Sequence, residues 1–295
     1  MHGYSVAVLT YNSEKTILET LNSLKVLKGL NRVQLIVSDD ASTDKTMVIV
    51  HSWLAENQAL FADVKLRAAN VNEGVSANHT HAFELANAEF GWYLGGDDLV
   101  DNPDFLAELD QAISKQPDFA LGRTRVFEYY AEQKKKVDYF DDYAFLFAYS
   151  ADVQFRFLAS IGYCFRSGPG FVFRISTLRS LGYFGTYNPV FEDYQLTLRF
   201  TGSGFPICYL PLTGILWRRH AAQGTANPAR MAQGLKLLRK HDIKPHLSRL
   251  HVLERFIYQF KGGLYLKVLY RYRDFFKKKA RQNHPEIFET EHLYD

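Results

Sequence analysis

Apolar positions in the first third of the chain switch between two periods. Short runs rich in β-branched and aromatic residues alternate with stretches at helical spacing. Residues 6–10 predict a first strand. The polar turn Tyr11-Asn12-Ser13 follows, then a helix that turns Ile17, Leu18, Leu21 and Leu24 toward the core. Residues 33–38 predict a second strand, and residues 40–44 cap a helix reaching Gln58. A third strand at 64–68 leads through Asn72-Glu73-Gly74 into a helix over Ala77 and Leu85. A fourth at 90–94 ends on Gly95-Gly96-Asp97-Asp98, and Pro103 opens another helix. Strands alternating with helices specify a parallel sheet wrapped by helices, with the four strand-to-helix turns along one sheet edge.

The pattern changes after about residue 128. Residues 129–149 mix Lys, Asp and aromatics with weak periodicity and predict an irregular segment. Order returns with a strand at 171–173, a helix at 176–181, a helix opening near Glu192-Asp193, and a last strand pair at 206–210 and 214–218. Beyond 221 the spacing is helical, with Leu253, Phe256, Phe260, Tyr265 and Val268 interleaved with Lys and Arg. The expected organisation is a main domain over 1–220 and a basic, aromatic-rich helical extension over 221–295.

Composition narrows this picture. A chain of 295 residues, 47% hydrophobic, can bury one sizeable core. Its longest apolar runs fall far short of the roughly 20 residues that span a bilayer, and the N-terminus has no export-signal pattern. Two cysteines, Cys164 and Cys208, lack metal-ligand spacing and suit a reducing compartment, so a cytoplasmic location is expected. Net charge is +3 but unevenly spread: from Met231 onward 14 basic residues face 7 acidic ones, leaving the first 230 residues at −4. A basic tail on a mildly acidic body suggests an anionic surface as the tail's partner. No nucleic-acid-binding module accompanies it, and the tail reads equally as an element in peripheral contact with a membrane's inner face or as a packed helical extension with a solvated basic face.

In an open sheet of this kind ligands collect at the carboxyl ends of the strands. The turns there carry Tyr11, Asp39-Asp40, Asn72 with Gly74, and Asp97-Asp98. An aromatic ring can stack on a base, and a carboxylate can accept from a base imide or a ribose hydroxyl. Asp97-Asp98, behind two glycines that permit close approach, suits a hard cation shared with a diphosphate; it equally suits a capping turn before Asn102-Pro103. Glu192-Asp193 could take a proton from an acceptor hydroxyl, or could cap its helix. His220, after Trp217-Arg218-Arg219, could complete a metal shell while the arginines hold phosphate. His79 and His81, two apart on a helix, point away from each other and receive no ligand role.

In this order the elements resemble glycosyltransferase family 2, the inverting sugar transferases of GT-A fold, over roughly residues 4–220. The resemblance rests on Val8-Leu9-Thr10-Tyr11-Asn12, on Val37-Ser38-Asp39-Asp40-Ala41-Ser42-Thr43-Asp44, on Asn72-Glu73-Gly74 and on Gly95-Gly96-Asp97-Asp98. Gly170-Phe171-Val172-Phe173-Arg174 and Phe191-Glu192-Asp193-Tyr194-Gln195-Leu196 complete it. It implies a mainly parallel α/β sheet of nucleotide-diphospho-sugar transferase type. Donor contacts would come from Thr10, Tyr11, Asn12, Asp40, Asn72, Gly74 and Asp97, with Asp39 supporting its turn. It further implies Mn²⁺ or Mg²⁺ on Asp98 and His220, Asp193 as catalytic base, and Glu192 binding acceptor or holding the loop. The implied substrates are a nucleoside-diphosphate sugar, most simply a UDP-sugar, and a glycan or lipid-linked acceptor in cell-surface polysaccharide, lipopolysaccharide or capsule assembly. The family's Asp-x-Asp signature departs here, because Gly96 stands where its first Asp would be. The Gln-x-x-Arg-Trp motif and membrane helices of processive synthases are missing, which implies single addition. A sugar nucleotidyltransferase would want a glycine-rich basic loop after the first strand, which Leu9-Thr10-Tyr11-Asn12 does not supply. A non-catalytic nucleotide-binding scaffold would not need both acidic pairs.

Overall fold

The computed structural model describes residues 3–116, 118–139, 143–161, 168–219, 227–259 and 263–285. Four parallel strands form the heart of the main sheet: β1 (Tyr4–Thr10), β2 (Val33–Asp39), β3 (Asp63–Ala68) and β4 (Phe90–Gly95). β1 lies between β2 and β4, with β3 outside β2. The helices α1 (Ile17–Leu24), α2 (Thr46–Asn57) and α3 (Val75–Glu84) connect them.

Side chains alternate across a strand, so β1 feeds two separate apolar clusters. Val6 and Val8 join Leu35, Val37, Trp92 and the inner faces of α1 and α2, while Ala7 and Leu9 join Ile36, Phe83 and Tyr93 on the other side. Helices therefore cover both faces, and every residue of β1 and β2 is buried. Helix α1 buries Ile17, Leu21 and Leu24 as expected. Leu18 is the exception, about half exposed, because it lies one position outside the apolar stripe.

Beyond β4 the sheet becomes mixed. β9 (Phe171–Arg174) runs antiparallel to β4 and to β6 (Leu121–Arg123), and β10 (Ile207–Tyr209) closes the edge parallel to β6. A second sheet has the order β5 (Leu99–Val100), β11 (Ile215–Arg218), β7 (Val126–Tyr130), β8 (Lys135–Tyr139). Two expectations are corrected here. The segment after 128 is not irregular, since β7 and β8 form an antiparallel hairpin whose turn places Lys134 at φ 48°. The last two strands do not pair, since β10 belongs to the main sheet and β11 to the small one.

The remaining helices are α4 (Phe105–Lys115), α5 (Ala151–Ile161), α6 (Ile175–Ser180), α7 (Glu192–Gly202), α8 (Pro228–Leu238), α9 (Val252–Gln259) and α10 (Gly263–Asn283). Leu238, Ile243, Leu250 and Ala280 join the same apolar cluster as Phe155, Phe173 and Phe184, so the C-terminal helices pack on the core of the main sheet. The contact is also polar: Tyr149 donates to the Phe276 carbonyl at 2.8 Å, and Arg156 on α5 pairs with the buried Glu254 on α9 at 2.8 Å. Among the described residues no helix is long and apolar enough to cross a membrane.

Candidate functional site

The carboxyl ends of β1, β2 and β3 are tied together by their own side chains. Asn12, at φ 49°, accepts the Thr43 amide on Oδ1 at 2.8 Å, and its own amide donates to Ser42 Oγ at 2.8 Å. Asp39 accepts from the Ser42 amide and hydroxyl at 2.8 and 2.5 Å. These bonds hold Ala41 at φ 65°, a left-handed conformation costing on the order of 1 kcal/mol for a residue with a Cβ. Asp40 binds the next loop. Its Oδ1 accepts the Glu73 amide at 2.8 Å and its Oδ2 the Gly74 amide at 2.9 Å, while Asn72 donates to its carbonyl at 3.3 Å. Gly74 turns at φ 93°, which favours glycine, and starts α3.

This network orders the expected donor-contact residues unequally. Tyr11 stands half exposed at the rim, and Asn12 and Asn72 are exposed beside it. Thr10 is buried behind the loop, its hydroxyl without a hydrogen-bond partner and close under Gly96.

The fourth turn is built around Asp98. Its carboxylate is buried and accepts the Gly95 amide at 3.0 Å and the Arg218 amide at 3.1 Å. Burial, and then the charge of neighbouring Asp97, push its pKa well above the ordinary carboxylate value. Asp97 is half-buried. A Cβ on Gly95 would lie 2.6 Å from Asp97 Oδ1 and 3.0 Å from Asp98 Oδ2, so glycine is what lets both carboxylates fold over the turn. Arg218 locks the arrangement from β11. Its Nε donates to the Asp97 carbonyl and its Nη2 to Glu19, each at 2.6 Å, and its guanidinium lies over the Tyr129 ring. The expectation of a phosphate-holding arginine is therefore corrected for Arg218, which is buried as a brace. Arg219 stacks over Trp217 and approaches Glu128 at 3.8 Å. His220 lies outside the described residues. Among those described, no three His, Cys, Asp or Glu side chains group to hold a metal ion. Asp97 and Asp98 offer hard oxygen donors in a site where burial calls for a countercharge, which fits a divalent cation whose remaining ligands come from elsewhere.

Glu192 and Asp193 form the first turn of α7, and Asp193 accepts its neighbour's amide, from Tyr194, at 2.6 Å. Burial raises the Asp193 pKa to about 6, while the Tyr194 amide and the Arg123 guanidinium act in the opposite sense. Burial and the adjacent Asp193 raise Glu192 to about 8, and Glu192 Oε2 is buried with no hydrogen-bond partner. Both carboxyls of the pair thus bind a proton more readily than an exposed carboxyl does.

Tyr93, on β4, lies within electrostatic reach of Glu192, Asp193 and Asp98. Its buried hydroxyl has no hydrogen-bond partner, and its pKa is raised by burial, then by the charges of Glu192 and Asp193, with Asp98 contributing and Arg123 opposing. The ring packs edge-on against His79 at 4.5 Å. His79 donates through Nδ1–H to the Val75 carbonyl of its own helix at 2.7 Å, and burial lowers its pKa to about 4, so it is neutral near pH 7. Arg123 lies over Phe171 and passes so close to Gly170 that a Cβ there would collide with its guanidinium. Neither Tyr93 nor Arg123 was legible as functional. Tyr93 reads as one more apolar strand residue, and Arg123 ends a three-residue strand too short to register a period.

The sequence profile described as "Glycosyl transferase family 2" matches residues 5–182, more than half of the chain. Abequosyltransferase RfbV of Salmonella typhimurium is 32% identical over 118 residues, 40% of this chain and 34% of that protein. Poly(ribitol-phosphate) beta-N-acetylglucosaminyltransferase TarS of Staphylococcus aureus is 34% identical over 102 residues, 34% of this chain and 17% of that protein. The chain thus aligns with about a third or less of the length of these curated relatives. Among solved structures, S. aureus TarS 1–349 in complex with UDP-GlcNAc superposes with TM-score 0.59 at 20% identity, over 76% of this chain and 61% of that one. Mannosyltransferase PcManGT from Pyrobaculum calidifontis, in complex with GDP-Man and Mn²⁺, gives 0.57 at 20% identity, over 99% and 87%. The main sheet, mostly parallel and covered by helices on both faces, is the fold of these GT-A enzymes. With that fold and the profile match together, the chain belongs to glycosyl transferase family 2.

Proposed function

We propose that this chain transfers a sugar from a nucleoside diphosphate, a UDP-sugar in the simplest case, to an acceptor hydroxyl, with inversion at the anomeric carbon. The observation that carries the reading is the buried, unpartnered Tyr93 hydroxyl, whose pKa is raised by burial and then by the charges of Glu192, Asp193 and Asp98, which supports grouping the two acidic pairs in one site. Tyr11, Asn12, Asp40, Asn72 and Gly74 form the nucleotide edge, with Thr10 supporting it from behind. Asp97 and Asp98 together face the diphosphate. When bound there, Mn²⁺ or Mg²⁺ would neutralise charge building on the leaving group. The complex of PcManGT with GDP-Man and Mn²⁺ supports a divalent cation, and that of TarS with UDP-GlcNAc supports a UDP-sugar.

On the opposite side, the Asp193 carboxylate accepts the proton of the acceptor hydroxyl. The acceptor oxygen then bonds to the anomeric carbon as the bond from that carbon to the diphosphate oxygen breaks, and the diphosphate departs with the electron pair. Attack from the face opposite the leaving group inverts the centre. Arg123 stabilises the ionised form of Asp193, and Glu192, protonated near neutral pH, can donate a hydrogen bond to an acceptor oxygen. The name of TarS, a poly(ribitol-phosphate) transferase, supports a polymeric acceptor, and we read the acceptor as a glycan or lipid-linked precursor in cell-surface polysaccharide assembly.

Thermal unfolding with UDP, GDP, dTDP or CMP, each with Mn²⁺ or with chelator, tests the donor site. A ligand at 100 times its Kd stabilises by about 2.7 kcal/mol. The expected result is a rise in Tm with one diphosphate that disappears on chelation. No rise with any of the four would overturn the reading.

A further inference from the structure

The C-terminal helices carry an apolar surface that the catalytic reading leaves unused. α9 exposes Val252 at 87% and Leu253 at 47%, and α10 exposes Phe275 at 64%. Leu253 and Phe275 stand at the mouth of a groove of 620 Å³ between the two helices, floored by Glu254, Tyr272 and Phe276. The polar groups of the floor are already satisfied. Glu254 Oε1 accepts from Arg156 at 2.8 Å and from Tyr272 at 2.6 Å, and Oε2 accepts the His251 amide at 2.7 Å. What the groove leaves open is its apolar rim.

That rim is set among cations. Residues 271–283 carry six basic side chains and one acidic. Arg271, Phe275 and Lys278 follow each other at i, i+4 and i+7, and all three are exposed, so one stripe of α10 reads cation, aromatic, cation. Apolar side chains that protrude beyond a satisfied floor, flanked by positive charge, complement a surface with hydrocarbon beneath negative headgroups. A second copy of this chain is a poorer occupant, because a symmetric contact through this face would oppose like charges.

We propose that the groove between α9 and α10 docks this chain on an anionic lipid surface, with Val252, Leu253 and Phe275 entering the headgroup boundary and Arg271 and Lys278 meeting lipid phosphates. The proposal is independent of the sugar-transfer reading, and its test reads binding to lipid alone.

The experiment is co-sedimentation of the full chain with vesicles of phosphatidylcholine alone and of phosphatidylcholine containing phosphatidylglycerol, at low and high salt. Binding is expected to the anionic vesicles, weaker in high salt and much weaker to the neutral ones. Leu253→Asp with Phe275→Asp should weaken binding by roughly tenfold or more, because burying even one such side chain is worth that factor. Arg271→Glu with Lys278→Glu should weaken it by about tenfold or more on the anionic vesicles only. All four positions are exposed, so the unfolding midpoints of both variants should match the parent, and the charge pair provides the test if the apolar pair fails to fold. Absence of binding to anionic vesicles overturns the proposal. So does parental binding by both folded variants, or a concentration-dependent dimer that the apolar pair abolishes in a chain that ignores lipid.

Discussion

Two regions of the candidate site treat their buried carboxylates in opposite ways. At the carboxyl ends of β1 to β3, Asp39 and Asp40 both accept backbone amides, and Asn12, Ser42 and Asn72 complete a closed network. Across Tyr93, the Tyr93 hydroxyl and Glu192 Oε2 are buried without partners, and both carboxyls of the Glu192–Asp193 pair titrate above their ordinary range. Apart from the buried Thr10 hydroxyl, which has no partner, the first side is a satisfied scaffold before any ligand arrives. The second stores unmet hydrogen-bonding capacity, which a folded protein tolerates mainly where a substrate or water will meet it.

The largest effect should come from the unfinished side. Asp193→Asn should reduce turnover by a factor on the order of 10² to 10⁴ and abolish the acidic limb of the rate profile near pH 6, as initial rates between pH 5 and 8 would establish. Stability should move the other way. A carboxyl whose pKa is raised on folding favours the fold while protonated and loses that contribution as pH rises through about 6. Asp193→Asn should therefore unfold no more readily than the parent at pH 7. An unchanged rate together with lost stability would make Asp193 a structural cap.

Gly95→Ala tests the boundary between the two sides. Its Cβ would displace the carboxylates of Asp97 and Asp98, at 2.6 and 3.0 Å, without altering either residue. Mn²⁺-dependent stabilisation by the nucleotide should weaken by about 10 to 100 fold, as for other losses of support around metal ligands. On the finished side, Asp40→Asn sets an amide nitrogen against the Glu73 or Gly74 N–H and leaves a donor unpaired, at a cost of about 1 to 3 kcal/mol in denaturant unfolding. If Asp40→Asn left stability intact, the scaffold description of that edge would fail.

The finished side was also the legible side. Strands β1 to β4 and the helices between them follow from local periodicity, and the bonds that order their loops run between turns the sequence already marks with Asp, Asn and Gly. Leu18 misled because one residue at the margin of an apolar stripe changes face without changing the pattern. The hairpin of β7 and β8 was hidden because its turn uses Lys134 at positive φ, where Asn or Gly would have announced it, and because most of β7 is only half-buried. The brace on Asp98 was hidden for a different reason. Arg218 lies 120 residues away, and it read as a phosphate-holding arginine until the fold placed it beneath the turn. Distance in sequence likewise concealed the electrostatic coupling among Tyr93, Arg123 and Asp193, contributed by three separate elements.

Arg123 gives the smallest and sharpest effect. Its guanidinium opposes the rise in the Asp193 pKa that burial produces, so removing the charge raises that pKa further. Arg123→Met should shift the acidic limb of kcat/KM to higher pH and leave the rate well above that limb closer to the parent's. Arg123→Lys keeps a cation near the same place and should return the limb toward pH 6, although lysine lacks the planar fork that lies over Phe171. A purely structural role would lower the rate at every pH without moving the limb. A shift in Arg123→Met that lysine reverses would make charge, and not packing, the link between this buried arginine and the base.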